Sequence, residues 1–254
     1  MIVRKSEAEI RRIAGAGTIL ADCLDMLAAA VAPGIKTLEL DGMAEEFIRG
    51  HGGTPTFLGY RGFPGSICAS PNDMVVHGIP GSYVVADGDI VSLDVGVTLD
   101  GYVADSAMTV AVGVIDEEAR RLMDVTQASL EAAIKQCRVG HRLGDVSHAV
   151  QAVVEKAGFS VVRSLVGHGV GREMHEDPQI PNFGEAGRGP RLEEGMVFAL
   201  EPMVNAGDWD VFVAGDGWTI HTSDGSLSAH FEHTVALAEA GPRVLTRRRS
   251  EKAA

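Results

Sequence analysis

A chain of 254 residues, 45% hydrophobic and slightly positive in mean hydropathy, can bury a sizeable core and is too apolar for a disordered polypeptide. Its net charge of −13 argues against a nucleic-acid or anionic-membrane partner held through a general basic surface. Cys23, Cys68 and Cys137 are too few and too scattered for a disulfide framework. The N-terminus has no signal-peptide core and no apolar run reads as a membrane span, so a reduced, cytoplasmic protein is expected.

Ser6 with Glu9 forms a capping box, and Ile10, Ile13, Leu20, Leu24 and Leu27 predict a helix up to about Ala32, stopped by Pro33-Gly34. A second helix is expected from about Thr37 to Ile48. The Gly/Pro-rich stretch after it predicts short strands around Ile67–Ala69 and Met74–His77. Gly88 to Val112 reads as two alternating strands joined near Asp100-Gly101, a strong hairpin signal. Asp116 opens a third helix, and a fourth runs from about Gly144 to Ala157. A strand follows near Phe159–Leu165, then the loop GHGVGREMHEDPQIPNFG, a strand at Met196–Glu201, the turn-rich DGWTIHTSDGS, and a strand at Ala229–Leu237. The final TRRRSEKAA is expected to be a loose tail.

Each strand of the hairpin carries one carboxylate, Asp94 and Asp105. A loop at Leu99-Asp100 pairs them directly, and a loop at Asp100-Gly101 sets them on a diagonal. Both registers leave them on one face. Like charges about 4 Å apart repel by roughly 4 kcal/mol at an intermediate dielectric, so something has to compensate. An exposed, solvated pair is the plain alternative to a bridging metal.

The chain also matches itself. Gly88–Asp94 aligns with Gly195–Glu201 at an offset of 107 residues, and Pro33-Gly34 with its helix aligns with Val139-Gly140 and its helix at 106. His77-Gly78-Ile79 resembles His168-Gly169-Val170, and Asp105 has its counterpart in Glu232. Two such halves would bring Asp94, Asp105, Glu201 and Glu232 together with His168 about a pseudo-twofold axis. Four partly buried carboxylates are costly without cations, and two divalent ions balance them. Oxygen with imidazole nitrogen suits Co, Mn, Fe or Zn better than Mg, and the absence of sulfur argues against a structural zinc site. Such ions favour hydrolysis. His77 and His175 then remain free to hydrogen-bond a substrate or its tetrahedral intermediate. His230 shares the face of Glu232, whereas His233 points away from it. Cys68 reads as a small buried residue rather than a nucleophile.

The set Asp94, Asp105, His168, Glu201 and Glu232, with HGIP, GHGVGREMHEDPQIP, ALEPMV and FEHTV, resembles the type I methionine aminopeptidases from about Ile2 to Leu237. The resemblance implies an α+β, pseudo-twofold "pita-bread" (creatinase/aminopeptidase) fold with a curved antiparallel sheet and outer helices. It would form a single catalytic domain spanning 1–254, its halves at about 1–115 and 116–240. It further implies that Asp105 and Glu232 bridge two divalent ions, that Asp94 completes one site, and that His168 and Glu201 complete the other. Glu201 would be the general base, and His77 and His175 would contact substrate. The methionine pocket maps onto Tyr60, Phe63, Cys68, Met174 and Trp218. Met174 and Phe63 stand where Phe and Tyr are usual, and Phe57 replaces a smaller residue at the rim. The implied partners are nascent polypeptide N-termini at the ribosome, engaged by a monomer with no nucleic-acid or membrane partner. A prolidase or aminopeptidase P, and a non-catalytic binding protein on the same scaffold, are the competing readings; the first carries an additional N-terminal domain and the second loses metal ligands.

Overall fold

The computed structural model describes residues 1–252. Helix α1 (Glu7–Ala30) begins at the expected capping box, with Ser6 N–H donating to Glu9 Oε2 at 2.9 Å and Glu9 N–H donating to Ser6 Oγ at 3.4 Å. By length and composition alone α1 could cross a membrane, contrary to the expectation that no segment could. Its apolar stripe is nevertheless occupied: Ile13, Leu20, Leu24 and Leu27 are fully buried, and the helix lies across the central hairpin. Helix α2 (Thr37–Gly50) ends two residues later than expected, at a glycine. Next come β1 (Thr54–Pro55), a 3-10 turn at Tyr60–Gly62, β2 (Cys68–Pro71) and β3 (Met74–Val76).

The hairpin consists of β4 (Ile90–Leu99) and β5 (Tyr102–Ala111), with Leu99 opposite Tyr102. Asp100 and Gly101 have φ of 50° and 73°, the left-handed pair that a two-residue turn between twisted strands requires and that Asp-Gly tolerates. Helices α3 (Glu117–Gln136) and α4 (Leu143–Lys156) follow, α3 capped by the Asp116 side chain accepting from Ala119 N–H at 2.7 Å. Then come β6 (Ser160–Val161), β7 (Val166–Gly169), β8 (Glu176–Pro181), β9 (Val197–Leu200) and β10 (Met203–Asn205). The last elements are β11 (Val211–Val213), β12 (Ile220–Thr222), β13 (Ser228–His230), β14 (His233–Ala238), β15 (Gly241–Val244) and α5 (Arg249–Lys252).

Among the described residues the strand pairings are antiparallel and fall into four hydrogen-bonded sets: β1-β4-β2 with β5 on β4, β13-β10-β6, β11-β12-β3, and β15-β14-β9-β7-β8. One buried cluster joins α1 and α2 to β4 and β5, and a second joins α3 and α4 to β9 and β14. This is the α+β architecture that the resemblance implies.

Three expectations need correction. The long loop after β7 contains β8, whose Pro178 and Pro181 suit an edge strand and disguise it as a loop. The strand expected at Ala229–Leu237 breaks at Phe231-Glu232 into β13 and β14. The C-terminal tail is docked rather than loose: Thr246 and Arg248 are buried, and Arg249 reaches Asp22 at 2.8 Å. Ser250 Oγ donates to Asp25 at 2.7 Å, and Glu251 takes Arg248 and His233 as partners.

Candidate metal centre

The hairpin register places Asp105 opposite Gly96 and Asp94 opposite Ala107, so the two carboxylates share one face on a diagonal. Glu232 arrives from the break between β13 and β14, which is joined to β5 by side-chain hydroxyls and by one backbone hydrogen bond. Ser106 Oγ donates to Glu232 O at 2.5 Å, and Glu232 N–H donates to Ala107 O at 2.9 Å. Asp105 N–H donates to Thr234 Oγ1 at 3.0 Å, and that hydroxyl donates to Asp105 O at 2.8 Å. Thr109 Oγ1 accepts from His230 N–H at 2.9 Å and donates to its carbonyl at 3.0 Å. This hydroxyl seam leaves no legible pattern in the sequence beyond Ser and Thr on a buried strand.

His168, on β7, donates from Nδ1 to Gly169 O at 2.9 Å, which leaves Nε2 as a lone pair. That nitrogen lies 3.7 Å from Asp105 Oδ2 and 3.5 Å from Glu201 Oε1. Glu201 follows β9, and its carbonyl accepts from Asn182 Nδ2 at 2.9 Å. Ligand atoms of Asp105, His168 and Glu232 all lie within 4.8 Å of one another.

Burial raises the carboxyls of Asp94, Asp105, Glu201 and Glu232 above their ordinary values; repulsion from neighbouring acids adds to this at Asp94, Glu201 and Glu232. Asp94 Oδ1, Asp105 Oδ1 and Glu232 Oε1 are buried without a hydrogen-bond partner among the described residues. Orphaned carboxylate oxygens grouped around an imidazole lone pair fit a divalent cation, which neutralises the charge and takes up the unpaired oxygens.

These residues form one end of a cavity of about 160 Å³, whose remaining walls include all five residues expected for the methionine pocket: Tyr60, Phe63, Cys68, Met174 and Trp218. Phe63 meets Trp218 edge-on with centroids 5.2 Å apart, and Phe57 lines the cavity too. Burial, and then the nearby acids, push the Cys68 thiol up, which keeps it protonated and not nucleophilic. His77 and His175 both reach the cavity. The His77 backbone is left-handed (φ 59°), and burial, then His175, bring its pKa down to about 4. His175 Nδ1 is 2.8 Å from Tyr60 Oη, and its ring centroid is 4.3 Å from that of His168. Partial burial, His168 and Arg61 hold His175 neutral.

His230 is buried behind Glu232, its Nε2 4.0 Å from Glu232 Oε2, and neither ring nitrogen has a partner. His233 faces away, toward Thr246 and Glu251, as the strand parity predicts. Arg61, in the cavity wall with φ 49°, was not expected from the sequence, where a lone Arg in a glycine-rich loop carries no signal.

Residues 11–239 match metallopeptidase family M24. The chain belongs to this family. Among curated relatives of this M24 peptidase, the methionine aminopeptidase of Clostridium perfringens is 54% identical over 246 residues, covering 97% of this chain and 99% of the relative. The solved methionine aminopeptidase of Thermotoga maritima superposes with a TM-score of 0.96 at 46% identity, covering 98% of this chain and all of that one. The prolidase of Pyrococcus furiosus shares the fold alone: its TM-score is 0.76 at 20% identity, and the match covers 97% of this chain and 66% of that one. The M24 peptidase described here therefore has the sequence and fold of a type I methionine aminopeptidase.

Proposed function

We propose that this metal-dependent aminopeptidase removes the N-terminal methionine of polypeptides whose second residue is small. The observation that carries the reading is the single cavity joining an apolar, aromatic-walled end to the cluster of carboxylates and imidazole. At about 160 Å³ it is smaller than the roughly 300–1,000 Å³ typical of a drug-sized site, and suits one side chain rather than a peptide. Tyr60, Phe63, Cys68, Met174 and Trp218 would enclose the methionine side chain, with Met174 able to follow an irregular contour.

In this reading Asp94, Asp105, His168, Glu201 and Glu232 would hold two divalent ions, Co, Mn, Fe or Zn, at the acidic end. Bound there, such ions supply Lewis acidity, which lowers the pKa of water and polarises a carbonyl. Glu201 accepts a proton at its carboxylate and returns it to the leaving amine. His175, with Tyr60 donating to Nδ1, presents its other ring nitrogen as a donor to the substrate carbonyl, and neutral His77 donates to the peptide bond. The reading treats the chain as one catalytic domain of two repeated halves. It acts as a monomer on nascent N-termini at the ribosome, in the cytoplasm, where the buried free thiols of Cys23, Cys68 and Cys137 persist.

The test is elemental analysis of the purified protein beside hydrolysis of Met-Ala-Ser and of an X-Pro dipeptide. Release of methionine from the tripeptide with little cleavage of the dipeptide is expected. Preferential cleavage of X-Pro would replace this reading with that of a prolidase.

A further inference from the structure

Lys5 is a buried lysine, fixed at its backbone by donating to Gly195 O at 2.6 Å. Its Nζ pairs with Glu176 Oε2 at 2.5 Å and also donates to Val3 O at 3.2 Å. The other oxygen of that carboxylate, Oε1, accepts from the backbone N–H groups of Arg172 at 2.8 Å and Glu173 at 3.3 Å. One carboxylate thus ties the N-terminal segment to the turn between β7 and β8. Gly171 lies so close to the pair that a Cβ there would sit 2.5 Å from Lys5 Cε and 2.7 Å from Glu176 Oε1. Arg172 and Glu173 are exposed; on its other side the turn is held to β5 by Arg172 donating to Tyr102 Oη at 2.6 Å and by Gly171 O accepting from Val103 N–H at 2.7 Å, so the carboxylate of Glu176 is what holds it to the N-terminal segment. Met174 and His175, the next residues, reach the cavity, and His175 is bonded directly to Glu176 in sequence.

We propose that the pair of buried Lys5 with half-buried Glu176 is a positioning device that sets the turn carrying Met174 and His175 against the cavity. The inference rests on the reading of His175 as a donor to substrate. Removing one partner of a buried pair leaves the other charge uncompensated, so the turn has to move to find water or a new partner. His168 precedes the turn and is held by its own hydrogen bond to Gly169, so the pair acts on substrate geometry and not on metal affinity.

The experiment introduces Lys5→Met and Glu176→Gln separately, in the native chain and in a His175→Ala background. kcat and KM are measured on Met-Ala-Ser, with metal affinity by titration calorimetry and the thermal midpoint. Glu176→Gln keeps an oxygen for Arg172 and Glu173 and serves where Lys5→Met fails to fold. In the native background kcat is expected to fall about 10- to 100-fold, the scale of a misplaced donor, with KM raised through Met174 and metal affinity unchanged. In the His175→Ala background the same changes lower the thermal midpoint and raise KM but take nothing further from kcat. Undiminished kcat in Glu176→Gln, or an equal further loss of kcat in the His175→Ala background, would reduce the pair to a structural contact. Wild-type kcat in His175→Ala alone would instead overturn the role given to His175, and the positioning proposal with it.

Discussion

Asp105 lies across the ladder from Gly96, so Asp94, opposite Ala107, meets it on the diagonal. Diagonal positions stand roughly 7–8 Å apart against about 4.5–5.5 Å for direct partners, which leaves room between the carboxylates for a cation. Gly96 also makes room for Phe57: a Cβ there would come within 2.7 Å of Phe57 Cε1. Gly96→Ala should therefore push Phe57 toward the cavity, costing about 1–3 kcal/mol of stability. Urea denaturation and kcat/KM on Met-Ala-Ser should fall together; a loss of stability with unchanged kcat/KM would separate Phe57 from the substrate end.

Glu232→Ala removes one of the carboxylates proposed to hold the ions. Turnover should be abolished, and calorimetry should show weakened binding of at least one ion. Retention of more than a few per cent of activity with two ions bound would contradict that role.

The three histidines should separate. His168→Ala is expected to weaken metal binding, because its Nε2 faces Asp105 and Glu201. His77→Ala and His175→Ala should leave metal affinity nearly intact while lowering kcat by about 10²–10³, the usual effect of deleting one donor to a developing charge. Metal lost on changing His77 would move that residue into the coordination set.

Thr234→Val leaves both the N–H and the carbonyl of Asp105 without their shared hydroxyl. The expected cost is about 1–3 kcal/mol for buried groups left unpartnered, read from chemical denaturation of the metal-free protein. An unchanged midpoint would mean that the seam between β5 and β14 closes without that hydroxyl.

The pH dependence of the metal-free protein follows from its raised carboxyls. Asp105 is raised to about 7, and Asp94, Glu201 and Glu232 lie well above their ordinary values, so between about pH 4, where the unfolded carboxyls ionise, and pH 7 the folded chain holds protons that the unfolded chain has lost. Stability then falls as pH rises through that window. Divalent ions hold the carboxylates ionised and should flatten the slope. Thermal midpoints across the window, with and without added Mn, check the sign, and a rise with pH in the metal-free protein would contradict it.

Much of this site is legible in the chain because its parts obey short-range rules. Asp100-Gly101 marks the turn, strand parity puts Asp94 and Asp105 on one face, and the match between Gly88–Asp94 and Gly195–Glu201 points to the acid that follows β9. The alternation leaves the register open because both candidate loops satisfy it, and only the left-handed pair at Asp100-Gly101 decides it. Elements held by distant partners stayed hidden. Strand β8 carries two prolines and pairs along one edge, and the C-terminal residues are fixed by Asp22 and Asp25 more than two hundred positions away. The break at Phe231-Glu232 is equally invisible, since Ser106, Thr109 and Thr234 hold it through hydroxyls rather than through a repeated pattern.

The most direct test is a metal titration of the stripped protein, following methionine release from Met-Ala-Ser at each step. No turnover is expected without added ions; activity should rise with occupancy and saturate by two ions per chain, and Asp105→Asn should lose both binding and activity. Turnover by the stripped protein, or ions bound as tightly by Asp105→Asn as by the native chain, would contradict the proposed metal site.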